Sequence, residues 1–247
     1  MNWHYYIALS SAVALSLPLI LIIGLRLYTN KSFLALGVHY LLAFSYNLMT
    51  SGIIDSSVPW RRNLALSNNF LDVPLLIFFL LYFTSSWRLS KQFLTALAAY
   101  VVFEIITVII AGFSVTATTI ILGPGILIIL SFCFYFFLKH IQVNHDHAQE
   151  PGKIVMLSTL LFSYGSYSLI YIFHYVLKMP YLNDAFLVYY LVTTFASIAM
   201  AIGIWIERNG ITQTEVEVLT KNLNKQKEDG RVFAKVIPLD ENEFRYK

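Results

Sequence analysis

Apolar residues dominate the chain in seven runs, separated by short polar stretches. The runs cover residues 4–28, 32–54, 68–87, 91–113, 117–140, 153–177 and 183–207. Each holds about 20 residues or more, enough to cross a hydrocarbon layer as a helix at about 1.5 Å rise per residue. In hydrocarbon a lone segment satisfies its backbone only as a helix. The pattern therefore predicts an all-α membrane protein, a bundle of seven transmembrane helices spanning residues 1–210. The connections are short, so neighbouring helices are expected to run antiparallel.

Composition strengthens this reading. Of 247 residues, 57% are hydrophobic and only 13% charged, with mean hydropathy +0.65. A soluble domain carries roughly a quarter charged residues. The net charge of +3 is small and gives no reason to expect a nucleic-acid partner. The first run lacks a basic leader and an A-x-A cleavage site, so it reads as a retained helix and not a signal peptide. Cys133, the one cysteine, sits in an apolar run and reads as packing.

Basic residues orient the bundle. One set of loops holds Arg26, Lys31, Arg88, Lys91, Lys139 and Lys153, with Arg208 and many lysines beyond the last run. The opposite set holds Arg61, Arg62 and Lys178, partly balanced by Asp55 and Asp184. The bias puts the N-terminus outside and the C-terminus in the cytoplasm. The loop 142–152 contains His145-Asp146-His147, which reads as solvated polar loop. Residues 211–247 differ in composition and form a cytoplasmic tail, expected as a short helix plus an extended segment. That is too short for a catalytic domain.

Ionisable groups inside a span are costly and point to function by default. Asp72 falls in the outer third of the third run, roughly 6 Å past Asn68 by helical rise. Glu104 lies deep in the fourth run, His39 toward the cytoplasm in the second, and His174 toward the outside in the sixth. Tyr164, Tyr167, Tyr171 and Tyr175 share one helical stripe. Such a stripe serves helix packing or a cofactor wall. Thr193 and Ser197 lie one turn apart on the seventh helix, with Tyr189 and Tyr190 before them. These groups suggest a polar cavity with aromatic walls, opening outward.

The segment Asn68-Asn69-Phe70-Leu71-Asp72-Val73-Pro74 resembles helix 3 of the microbial rhodopsins. The Asn–Asp pair four apart is most similar to the light-driven sodium pumps, whose third motif residue is Gln; here it is Phe79. Helix 6 resembles the family's aromatic helix. Tyr164 stands where a retinal-packing Trp would be, Tyr167 matches a Tyr, Ser168 replaces a Pro, and Tyr171 matches a recurrent aromatic. Helix 7 aligns through Tyr189, Leu191 and Trp205. This register puts Ser197 at the Schiff-base lysine, Thr193 at the counterion aspartate, Ala65 at the helix 3 arginine and Asn69 at the tryptophan flanking the chromophore. Lysines occur only at span ends. An imine needs a primary amine, which a serine hydroxyl cannot supply.

The resemblance thus implies a lysine-less rhodopsin homologue and no covalent retinal. It implies a remnant pocket at Asn68, Asn69, Asp72, Tyr164, Tyr167, Ser168, Tyr171, Thr193 and Ser197. The expected occupant is retinal, a carotenoid or another apolar molecule held non-covalently, or otherwise none. The role expected is sensor, binder or partner subunit in the bacterial cytoplasmic (inner) membrane. The family implies a lipid-embedded homo-oligomer, trimer or pentamer, or a hetero-oligomer with another rhodopsin. The alternative is a light-independent cation or small-solute pathway using Asp72 and Asn68 as a weak cation site, with no metal site expected. No HExxH, paired carboxylates, nucleophile elbow or phosphate-binding glycine loop points to an enzyme.

Overall fold

The computed structural model describes residues 3–84, 86–144, 151–173, 177 and 187–208, with only the backbone of 3, 4 and 142–144. Seven helices occupy them: α1 Trp3–Gly24, α2 Lys31–Thr50, α3 Val58–Leu80, α4 Trp87–Ala111, α5 Val115–Asn144 and α6 Pro151–Tyr171, then α7 Leu187–Arg208. All seven are long and apolar enough to cross a membrane. Among the described residues there is no strand. The chain is an integral membrane protein with seven apolar helices. His174, the segment His145-Asp146-His147 and the tail expected at 211–247 lie outside the described residues.

Local chemistry sets where the helices begin and stop. The Asn30 side chain accepts from the backbone N–H of Ser32, capping α2 at 3.0 Å. Pro59 sits in the first turn of α3, where its missing N–H costs nothing. Gly112 ends α4 at φ 71°, a conformation glycine reaches without strain. Arg26, at φ 56° and ψ 28°, makes a left-handed turn after α1 without that freedom.

The start of α3 corrects the sequence reading. The apolar run begins at residue 68, but the helix begins at Val58, ten residues earlier. The first turns carry Arg61, Arg62 and Asn63, so hydropathy alone does not register them as span. Asp72 consequently lies about 21 Å along α3 by helical rise, past its midpoint and not in its outer third. The other end shifts as well, since α3 gives way at Leu81–Phe83 to a 3-10 turn.

Consecutive helices pack against one another, most extensively α2 on α3, α5 on α6 and α1 on α2. Helix α3 also reaches α5, placing it toward the centre. Helices α6 and α7 approach closely at Gly203, where an added Cβ would lie 2.6 Å from the Met156 side chain. Helix α7 in turn shares an apolar groove with α1, lined by Leu9, Val13, Leu17, Thr194 and Ile198. The ring of helices therefore closes. Outward faces stay apolar: Ile109 and Ile110 on α4 are 76% and 80% exposed. Such a surface is stable against lipid and not against water. One polar contact ties α1 to α2 in the core, where the Asn47 amide donates to the Ser11 hydroxyl at 3.1 Å.

Candidate functional site

A cavity of about 260 Å³ lies within the ring, lined from α1, α2, α3, α5, α6 and α7. Asp72 is among its lining residues. Helix α3 carries it one turn after Asn68 and two residues before Pro74, and both asparagines, Asn68 and Asn69, also line the cavity. The Tyr164 hydroxyl of α6 donates to Asp72 Oδ2 at 2.5 Å. From α2, His39 Nδ1 comes within 3.0 Å of Asp72 Oδ1. That approach is a close polar contact and not an aligned hydrogen bond, because no acceptor lies along the Nδ1 axis. Three helices thus meet on one carboxylate.

The sequence reading treats His39 and Asp72 separately, and their pairing follows from where α3 begins. Helix α2 and helix α3 are antiparallel and joined through residues 51–57. His39 stands eight residues into α2, about 12 Å from its start by helical rise. With α3 begun at Val58, Asp72 comes to the same level. Had α3 begun at residue 68, the two would sit at different depths.

The α7 wall is built on Thr193 and Ser197. Tyr167 and Thr193 share a hydrogen bond of 3.0 Å between their hydroxyls. Tyr189 stacks on Tyr167 with centroids 5.6 Å apart and planes 28° from parallel. Tyr164 meets Tyr167 edge-on at 5.8 Å. Ser197 is 1% exposed and faces Tyr40 of α2. The Tyr171 hydroxyl donates to the Thr119 carbonyl at 3.1 Å, holding α6 against α5 at the cavity rim.

Eight of the nine residues named from the sequence line this cavity: Asn68, Asn69, Asp72, Tyr164, Tyr167, Tyr171, Thr193 and Ser197. Ser168 does not. Its hydroxyl donates to the Gly165 carbonyl of its own helix at 2.7 Å. It follows Tyr167 by about 100° around α6, off the cavity face. Sequence reading placed Tyr189 among the groups around the cavity but not in the pocket set, and missed His39 and Tyr40 as wall residues. His39 had a usable signal in being a histidine within an apolar span; Tyr40 had none.

The Asn68 side-chain oxygen is buried and has no hydrogen-bond partner among the described residues. Glu104, 7% exposed on α4, is not part of the lining and leaves Oε1 unpartnered. Beside it Tyr100 donates to the Ile121 carbonyl of α5 at 3.2 Å. Among the described residues no lysine or arginine lines the cavity, and Asp72 is its one acidic side chain.

Chemically, the site offers one carboxylate, an imidazole, several phenols and hydroxyls, and long apolar walls. That set suits holding a molecule by shape and a few directed polar contacts. It contains no amine to form an imine and no activated nucleophile. No family model, curated protein or solved structure matches the chain.

Proposed function

We propose that this protein is a lysine-less rhodopsin homologue that holds a mainly apolar molecule non-covalently in its central cavity. It acts as a sensor, a binding protein or a partner subunit and not as a covalent retinal photopump. Retinal and carotenoids are the first occupants to test. The N-terminus faces outside and the C-terminus the cytoplasm, in a bacterial inner membrane, and the bundle assembles into a homo-oligomer or with another rhodopsin.

One observation carries the reading. The residues that the resemblance assigns to a chromophore pocket, drawn from three distant stretches of sequence, line a single cavity: Asn68 and Asp72, Tyr164 and Tyr167, Thr193 and Ser197. The lysine position is Ser197, buried and facing that cavity. Its hydroxyl cannot condense with an aldehyde, so any occupant is held by packing and hydrogen bonds.

The test is to purify the protein from cells supplied with all-trans-retinal or with carotenoid, and to record the visible spectrum. Expected is a polyene that co-purifies and leaves with organic solvent, without any reagent that cleaves an imine. A preparation with no bound polyene, and no spectral change on adding one, removes the polyene from the reading.

A further inference from the structure

We infer that the preferred occupant of the central cavity is an organic cation, an apolar body carrying a protonated amine or quaternary ammonium that docks at Asp72. This rests on the reading of the cavity as a ligand site and narrows what the site selects.

The first observation is charge. Asp72 is the one acidic side chain on the cavity wall, which holds no lysine or arginine among the described residues and sets His39 beside it as its one basic neighbour. Its two oxygens each meet one protein group, His39 at 3.0 Å and Tyr164 at 2.5 Å. A carboxylate offers about four lone-pair positions, so two partners leave it only half satisfied. A carboxylate largely shielded from water, as Asp72 is with its side chain 18% exposed, is costly until its lone pairs and its charge are met. An occupant with a positive end adds a full charge to the one imidazole that the wall sets beside the carboxylate, whereas a neutral or anionic one does not.

The second observation is aromatic and independent of the first. Five tyrosines line the same cavity: Tyr40, Tyr164, Tyr167, Tyr171 and Tyr189. Three of them form a continuous run, Tyr164 edge-on to Tyr167 and Tyr167 stacked on Tyr189. Three of the five hydroxyls are committed elsewhere: Tyr164 to Asp72, Tyr167 to Thr193 and Tyr171 to the Thr119 carbonyl. Those three rings are thus held in place before a ligand arrives. Aromatic faces attract cations, most strongly where water is excluded, and quaternary ammonium groups are bound in this way. A purely apolar guest would be served as well by leucine. Tyrosine walls around one carboxylate favour a guest that is both bulky and positive.

Benzyltrimethylammonium and its uncharged isostere neopentylbenzene differ only in nitrogen for carbon at the head. Their binding to the purified full-length protein is measured by titration calorimetry, with all-trans-retinal as a third probe. The expected result is that the cation binds about tenfold or more tighter than the isostere. Asp72→Asn should remove most of that preference while the isostere still binds. Tyr189→Leu should reduce it with Asp72 intact, so the result does not depend on one variant folding. Equal binding of cation and isostere overturns the inference but leaves the cavity a ligand site. Binding of retinal alone does the same. If none of the three binds, both the inference and the ligand-site reading fall.

Discussion

The Tyr164 hydroxyl on α6 donates to the Asp72 carboxylate on α3 across 2.5 Å, joining residues 92 positions apart in sequence. Hydrogen bonds to a charged acceptor contribute about 1.5–3 kcal/mol in water-soluble proteins. Those within membrane bundles average lower, about 0.6 kcal/mol, because the unfolded chain in lipid also finds partners. Tyr164→Phe is therefore expected to cost about 1–2 kcal/mol, with the ring still filling its space. Reversible unfolding in mixed micelles of Tyr164→Phe, Asp72→Asn and the double variant gives the coupling. A coupling below about 0.3 kcal/mol would show that the contact contributes nothing to the fold.

His39 and Asp72 make a second, separable link, between α2 and α3. Both are largely shielded, with side chains 19% and 18% exposed. His39→Leu keeps the volume apolar but leaves Asp72 with Tyr164 alone. Losing one partner of a buried charge costs more than losing both. His39→Leu is thus expected to destabilise by about 1–2 kcal/mol in the native background, and by less than half of that once Asp72 is asparagine. The same unfolding assay decides it, and equal costs in the two backgrounds would mean that His39 acts through packing only.

How much of this could be read beforehand follows from what each feature depends on. The seven spans were legible because hydropathy over about 20 residues is a local property, and each apolar run became one helix. The tyrosine stripe of α6 was legible because Tyr164, Tyr167 and Tyr171 recur at helical spacing, which fixes a common face. The depth of Asp72 was not, because Arg61 and Arg62 make the first turns of α3 polar while Pro59 starts the helix regardless. The pairing with His39 was hidden for the same reason, since it depends on the relative register of two helices. Ser168 was assigned by alignment to a proline position, and nothing local revealed that its hydroxyl would turn back to Gly165.

Close helix approach sets a third expectation. A Cβ at Gly125 on α5 would lie 2.5 Å from the Tyr100 hydroxyl and 2.6 Å from Val73 Cγ2. Tyr100 is buried, and its hydroxyl is held by the Ile121 carbonyl, so it has little room to retreat. Gly125→Ala is expected to cost about 1–3 kcal/mol through overpacking. Adding Val73→Ala, which removes the clashing methyl group, should recover part of that loss. At Gly165 on α6 nothing lies within 4 Å of the same position. There the alanine should be neutral or stabilise by about 0.5–1 kcal/mol, because glycine is the poorer helix former. Similar unfolding curves for Gly125→Ala and Gly165→Ala would contradict the packing described.

Ser197→Lys tests the family reading directly, because it supplies the amine that this reading assigns to the seventh helix. Ser197 is 1% exposed and lines the same cavity as Asp72, one turn beyond Thr193. A lysine there projects into a space that already contains a carboxylate, which would balance the charge of a protonated imine. The longer side chain is expected to cost stability when the cavity is empty, since an amine held from water without a partner is unfavourable. All-trans-retinal should then add to the Ser197→Lys protein as an imine. The signs would be a visible band to the red of free retinal, bleached by hydroxylamine and absent from the native chain. Asp72→Asn in the same background should shift that band further to the red or abolish it, because the carboxylate stabilises the positive charge of the ground state. A folded Ser197→Lys protein that forms no pigment would separate Ser197 from any chromophore position, and with it the alignment of the seventh helix.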